Sequence, residues 1–149
     1  MTFKEKIYES YLRILEDKIQ LFQNTLYELR ESGINETKST VGDKYETALA
    51  MLHIEQENTN QQLTEAVKQK VLLSKIDPAV STSKIINGSL IKTNKGYFFL
   101  SVALGKTIVD GITVIALSPH SPLGQKLIGL KANDTTEING TRYVIENVV

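Results

Sequence analysis

Tyr8, Leu12, Leu15, Ile19, Phe22, Leu26 and Leu29 recur at alternating spacings of four and three, and no proline or glycine interrupts them before Gly33. That period is a heptad seam, the mark of a helix whose narrow apolar stripe lies against another helix. From about Lys4 to Glu31 the chain is rich in Glu, Gln, Lys, Leu and Arg, which favour helix. The helix they predict is on the order of 40 Å long. Its stripe stays wet unless a partner covers it. Ser32 through Gly42 reads as a break, with Gly33 as a C-terminal cap and Asn35, Ser39 and Thr40 suited to turns. A second seam follows from about Asp43 to Lys75: Tyr45, Leu49, Leu52, Gln56, Thr59, Leu63, Ala66, Lys70 and Leu73. The short connection predicts two antiparallel neighbours.

At Asp77-Pro78-Ala79-Val80-Ser81-Thr82-Ser83 the texture changes, and proline with small polar residues marks a linker. The domain reading is therefore a coiled-coil hairpin over 1–77, a linker over 78–83 and a β domain over 84–149. Beyond the linker, Ile85 to Thr93, Tyr97 to Ala103 and Ile112 to Leu117 are rich in β-branched and aromatic residues. Thr93-Asn94-Lys95-Gly96, Leu104-Gly105-Lys106 and Asp110-Gly111 punctuate them as turns. A short helix is expected from Ser121 to Ile128, with Ser121 as N-cap, Pro122 in the first turn and Gly129 as the stop. Thr136 to Ile138 and Thr141 to Val148 flank Asn139-Gly140, a dipeptide suited to a type I′ hairpin turn. The fold class is α+β. Its second module is a small antiparallel sheet, one face covered by the short helix or by the helical hairpin. Phe98 and Phe99, adjacent on one strand, point to opposite faces.

Composition narrows the chemistry. Seventeen basic and seventeen acidic side chains cancel, so no whole-molecule field is expected to hold nucleic acid by counterion release. The half up to Asp77 carries ten Lys/Arg against thirteen Asp/Glu, and the rest seven against four, so the hairpin is the acidic half. The absence of cysteine excludes disulfides, thiolate catalysis and cysteine-based zinc sites. With His53 and His120 as the two histidines, a histidine cage for a metal is not expected either. No apolar run approaches a membrane span and the start leads straight into charged helix, so a cytoplasmic protein is expected. No phosphate-cradling glycine loop or Ser/His/Asp arrangement is present, which argues against an autonomous enzyme.

Thr40-Val41-Gly42-Asp43-Lys44-Tyr45-Glu46-Thr47-Ala48 lies where the first helical pattern has ended and the second begins. Asp43 and Glu46, three residues apart, share a helical face. Magnesium takes one or two such oxygens when phosphate and water fill its other positions. The same spacing is also that of a capping box, in which Asp43 accepts a backbone N–H and Glu46 reaches back. Both readings stand on these residues alone.

Two separated pieces carry a resemblance. Ser118-Pro119-His120-Ser121-Pro122-Leu123-Gly124-Gln125-Lys126-Leu127-Ile128-Gly129-Leu130-Lys131 is similar to the carboxy-terminal signature of the Gre-type bacterial transcript cleavage factors. Gly42-Asp43-x-x-Glu46-x-Ala48 resembles the acidic tip motif of that family. The order of the parts agrees as well. The resemblance implies a long antiparallel coiled coil and an FKBP-like globular domain that docks on RNA polymerase. It implies entry of the coiled coil into the secondary channel, so that the tip reaches the polymerase's active centre. Asp43 and Glu46 would then assist at a magnesium shared with the polymerase, and Ser121, Pro122 and Leu123 would belong to the docking surface. The factor would be a monomer with no cofactor of its own and no membrane contact, meeting nascent RNA and DNA only through the polymerase. The alternatives are a Gre-like channel regulator that does not stimulate cleavage, an FKBP-like isomerase or chaperone, and a coiled-coil adaptor.

Overall fold

The fold was read from a computed structural model, which describes residues 1–39 and 43–149, and side chains outside 34–44. Two long helices come first, α1 (Phe3–Ser39) and α2 (Asp43–Ser74). Strands β1 (Leu90–Thr93), β2 (Gly96–Leu100), β3 (Gly105–Val109) and β4 (Ile112–Leu117) follow, then α3 (Pro122–Leu127), β5 (Thr135–Ile138) and β6 (Thr141–Val148). The α+β class expected from the sequence is the one found. Two compact units divide the chain, Ile14–Lys70 and a second made of Met1–Arg13 with Val71–Val149. Their boundaries fall inside the helices, whereas the sequence reading set them at 78–83. Among the described residues, no helix is long and apolar enough to cross a membrane.

The Ile14–Lys70 unit is an antiparallel helical pair. Its register is marked near one end by an ion pair of Lys70 with Glu16 at 3.7 Å, and further along by Gly33, where an added Cβ would stand 2.9 Å from Leu52 Cδ2. The seam is the one that the heptads predict. Leu15 is buried and Ile19, Phe22, Leu26 and Leu29 are half-buried on α1, while Thr59 and Ala66 are buried and Leu52, Gln56 and Leu63 half-buried on α2. Gly33 corrects one expectation: it does not end α1, which continues to Ser39. A glycine facing Leu52 lets the second helix come close, and this use needs ordinary helical φ rather than the positive φ of a cap.

The other unit is built on one six-stranded sheet in the order β3-β4-β2-β1-β6-β5. Every neighbouring pair is antiparallel except β2 with β4, which run parallel with Phe99 opposite Ala116. The exception follows from β3, a strand that the sequence reading left as a turn and connection. Thr107, Ile108 and Val109 are β-branched, and β3 takes the sheet edge antiparallel to β4, which returns beside β2. Asp110 and Gly111, with φ of 51° and 77°, close the β3–β4 hairpin, and Asn139 and Gly140, at 51° and 79°, close β5–β6 as predicted. β1 begins at Leu90 and not at Ile85, because Gly88 adopts φ 97° and the Ser89 hydroxyl accepts the Ile86 N–H at 2.9 Å, making a turn.

Phe98 and Phe99 explain how both faces are covered. On one face Phe98 joins Ile85, Ile91, Leu100, Leu127 and Ile145 in an apolar cluster that includes α3, with Tyr143 edge-on to Phe98 at 5.9 Å. On the other, Phe99 stacks on Tyr11 of α1 at 6.1 Å, and Phe3 meets Tyr97 edge-on at 5.5 Å. The first turns of α1 therefore bury Ile7 and Tyr11, four residues apart, rather than the seam positions Tyr8 and Leu12. They are opened by a Thr2-x-x-Glu5 cap, in which the Glu5 N–H donates to the Thr2 hydroxyl at 3.1 Å.

The Tyr11 hydroxyl is shared between the carbonyls of Gly105, at 2.7 Å, and Val114, at 3.0 Å. Burial pushes its phenol up to about 12. An unfolded phenol titrates near 10, so the contribution is fully present below about pH 10 and is lost as pH rises through about 12. Relative to Tyr11→Phe, the wild-type protein is expected to lose about 2–3 kcal/mol of stability across that window. Urea midpoints of both proteins on either side of it provide the check, and parallel curves would refute the assignment.

Candidate functional site

The acidic pair comes first. Residues 40–42, which include Gly42 of the predicted tip, lie outside the described residues, as does the side chain of Asp43. α2 begins at Asp43, and Glu46 follows one turn later with an exposed side chain. Carboxylates in a first helical turn face the positive end of the helix dipole and need no buried partner. Among the described residues, no three His, Cys, Asp or Glu side chains gather closely enough to hold a metal ion. Two carboxylates would supply part of a magnesium shell and not a closed one.

The second candidate surface is the turn into α3. Ser121 is its N-cap: the hydroxyl accepts the Gly124 N–H at 3.1 Å and donates to the Ser118 carbonyl at 2.6 Å. His120 N–H donates to the Ser118 hydroxyl at 3.1 Å, and Gln125 Nε2 to the His120 carbonyl at 3.0 Å. Pro122 opens the helix and is exposed, whereas Leu123 is half-buried against the apolar cluster of the sheet. Of the three residues predicted to dock, Ser121 and Leu123 thus hold the turn in shape, and Pro122 is the one most presented to solvent.

Gly124 explains why that turn can be so tight. A Cβ there would run into the Ser118 carbonyl and stand 2.9 Å from the Ser121 hydroxyl. Gly124→Ala is expected to destabilise the sheet unit by about 1–3 kcal/mol, although alanine is the better helix former. A denaturation midpoint equal to or above wild type would show that the turn relaxes freely.

Sequence reasoning missed two residues of the sheet unit, Lys4 and Tyr11. Both belong to α1 and flank its seam: Tyr11 stands just before Leu12, and Lys4 lies one heptad earlier. Lys4 is nevertheless 6% exposed, and its ammonium donates to the Val80 carbonyl at 2.7 Å. Burial holds its pKa below the ordinary lysine value, with Asp77 pulling the other way. No periodic signal points to it.

No protein-family profile matches the chain, and no curated protein is significantly similar to it. Among solved structures, that of the transcription factor Gfh1 is similar over 92% of this chain and 92% of that chain, with 14% identity and a TM-score of 0.36.

Proposed function

We propose that the protein is an RNA polymerase accessory factor of the Gre type, which enters the secondary channel and stimulates cleavage of backtracked RNA. The observation that carries this reading is the long antiparallel helical pair with Asp43 and Glu46 at the start of its second helix. The Ser118–Lys131 signature supports it independently. In this reading Asp43 is the principal metal-directed carboxylate and Glu46 its partner. Ser121, Pro122 and Leu123 form part of the docking surface, with Ser121 shaping the turn and Pro122 making contact. A magnesium ion held by Asp43 and Glu46 together with the polymerase would supply charge neutralisation at the reacting oxygens. The chain's own part is to bring carboxylates to that centre, and the polymerase performs the chemistry. In this reading the factor needs no cofactor of its own.

A second reading, occupancy of the channel without cleavage, is favoured by Leu49 and Ala50. They stand where the Gre tip motif carries an acidic residue and a tyrosine, so this helix start offers fewer polar groups. One experiment separates the two. Stalled, backtracked complexes of bacterial core polymerase are incubated with and without the protein, and both bound factor and shortened RNA are measured. Binding with accelerated cleavage supports the first reading, and binding with unchanged or slowed cleavage supports the second. Absence of binding removes both.

A further inference from the structure

The start of α1 covers one part of its sheet face and leaves another part open. The gap is a cleft of about 320 Å³ whose walls include Phe3, Pro78, Leu90, Tyr97 and Val149, together with Lys4. Its volume is at the lower end of the range for small-molecule sites, and most of its lining is apolar. All of these residues belong to the sheet unit. Phe3 and Tyr97, packed edge-to-face, offer ring surface to a flat or branched apolar group.

Lys4 is the unusual member. The residue is almost wholly buried, yet the one acceptor that its ammonium meets among the described residues is the neutral carbonyl of Val80. Among the described residues it has no carboxylate within ion-pair distance; Asp77 acts on it from further away, and one Asp77 oxygen accepts the Ala79 N–H at 3.0 Å. Burying a cation is costly unless an anion neutralises it. Among the described residues this lysine closes no ion pair, and it lines both this apolar cleft and an adjoining one that holds Val80 and Asp77.

We infer that the cleft binds a small carboxylate carried on an aromatic or branched apolar body. The ammonium of Lys4 takes the carboxylate, and Tyr97 and Phe3 take the apolar body. Lys92 is the natural decoy, since its ammonium lies 5.9 Å from the Tyr97 ring centroid but is about half exposed and is paired with Glu146 at 3.9 Å. This site is independent of the polymerase reading.

The test uses the full-length protein, amide-resolved NMR, and two probes of one shape, 3-phenylpropionate and its neutral amide. Millimolar acid is expected to shift the amides of Leu90, Tyr97 and Val149, and to bind about tenfold or more tightly than the amide probe. In Lys4→Met that preference should vanish while the helical and sheet CD signals persist, and in Lys92→Met it should remain. The wild-type comparison of acid with amide needs no variant to fold. The inference is overturned if the acid shifts none of these residues, if acid and amide bind equally to the wild-type protein, or if the preference survives in Lys4→Met. It is equally overturned if Lys92→Met alone abolishes the preference.

Discussion

Phe99→Ala is expected to cost about 3–5 kcal/mol, which approaches the whole stability of an ordinary domain. Phe99 is fully buried at the centre of one sheet face, between Leu90 on β1 and Ala116 on β4. It is also the ring on which Tyr11 stacks, so the truncation removes buried area and loosens the α1 segment that closes this face. Once that segment lifts, the carbonyls of Gly105 and Val114 lose the Tyr11 hydroxyl as well. Phe99→Leu, which keeps most of the volume, should cost far less. Urea denaturation followed by near-UV CD of the tyrosines measures the effect. A loss for Phe99→Ala below about 1 kcal/mol would mean that the α1 segment does not depend on this contact.

The second large effect concerns activity. If the tip carboxylates assist the polymerase, Asp43→Asn and Glu46→Gln should each reduce factor-stimulated RNA cleavage on the order of 10²-fold, with polymerase binding unchanged. These variants are more telling than alanine. Asparagine caps a helix as well as aspartate does, so Asp43→Asn removes charge and leaves any capping intact. A pure cap would therefore survive Asp43→Asn in both melting temperature and activity, and fail in Asp43→Ala. Stimulated cleavage that persists at wild-type rate in the Asn/Gln double variant would eliminate the metal-directed role and leave channel occupancy as the function.

At the α3 turn, residues proposed to dock are also residues that hold the fold. Ser121 is legible as an N-cap from its place before Pro122, and the structure bears this out with hydrogen bonds at 3.1 Å and 2.6 Å. A loss of polymerase binding in Ser121→Ala would on that account be ambiguous, because the cap and the surface go together. Pro122→Ala is the cleaner probe of the surface, since Pro122 is exposed and leaves the cap in place.

Local pattern settled a great deal about this chain. The heptads predict the Ile14–Lys70 helical pair down to its polar seam positions, because a repeated spacing commits one face of a helix whatever lies beyond it. Asn139-Gly140 and Ser121-Pro122 mark their turn and cap just as directly, since each depends on φ preferences of the residues themselves. What the tertiary structure alone decided is where the pattern changes owner. The α1 residues from Phe3 to Arg13 follow the sheet and not the heptad, so Ile7 and Tyr11 are buried and Lys4 is drawn inside with them. The same holds for Gly33, which reads as a stop and serves as a close approach to Leu52. It holds too for β3, whose weak local signal is completed by pairing with β4. For the start of α1 and for Gly33 the deciding neighbour is distant along the chain, and for β3 it is the next strand; in each case the contact outweighs a local preference of a few tenths of a kcal/mol to about 1 kcal/mol per residue.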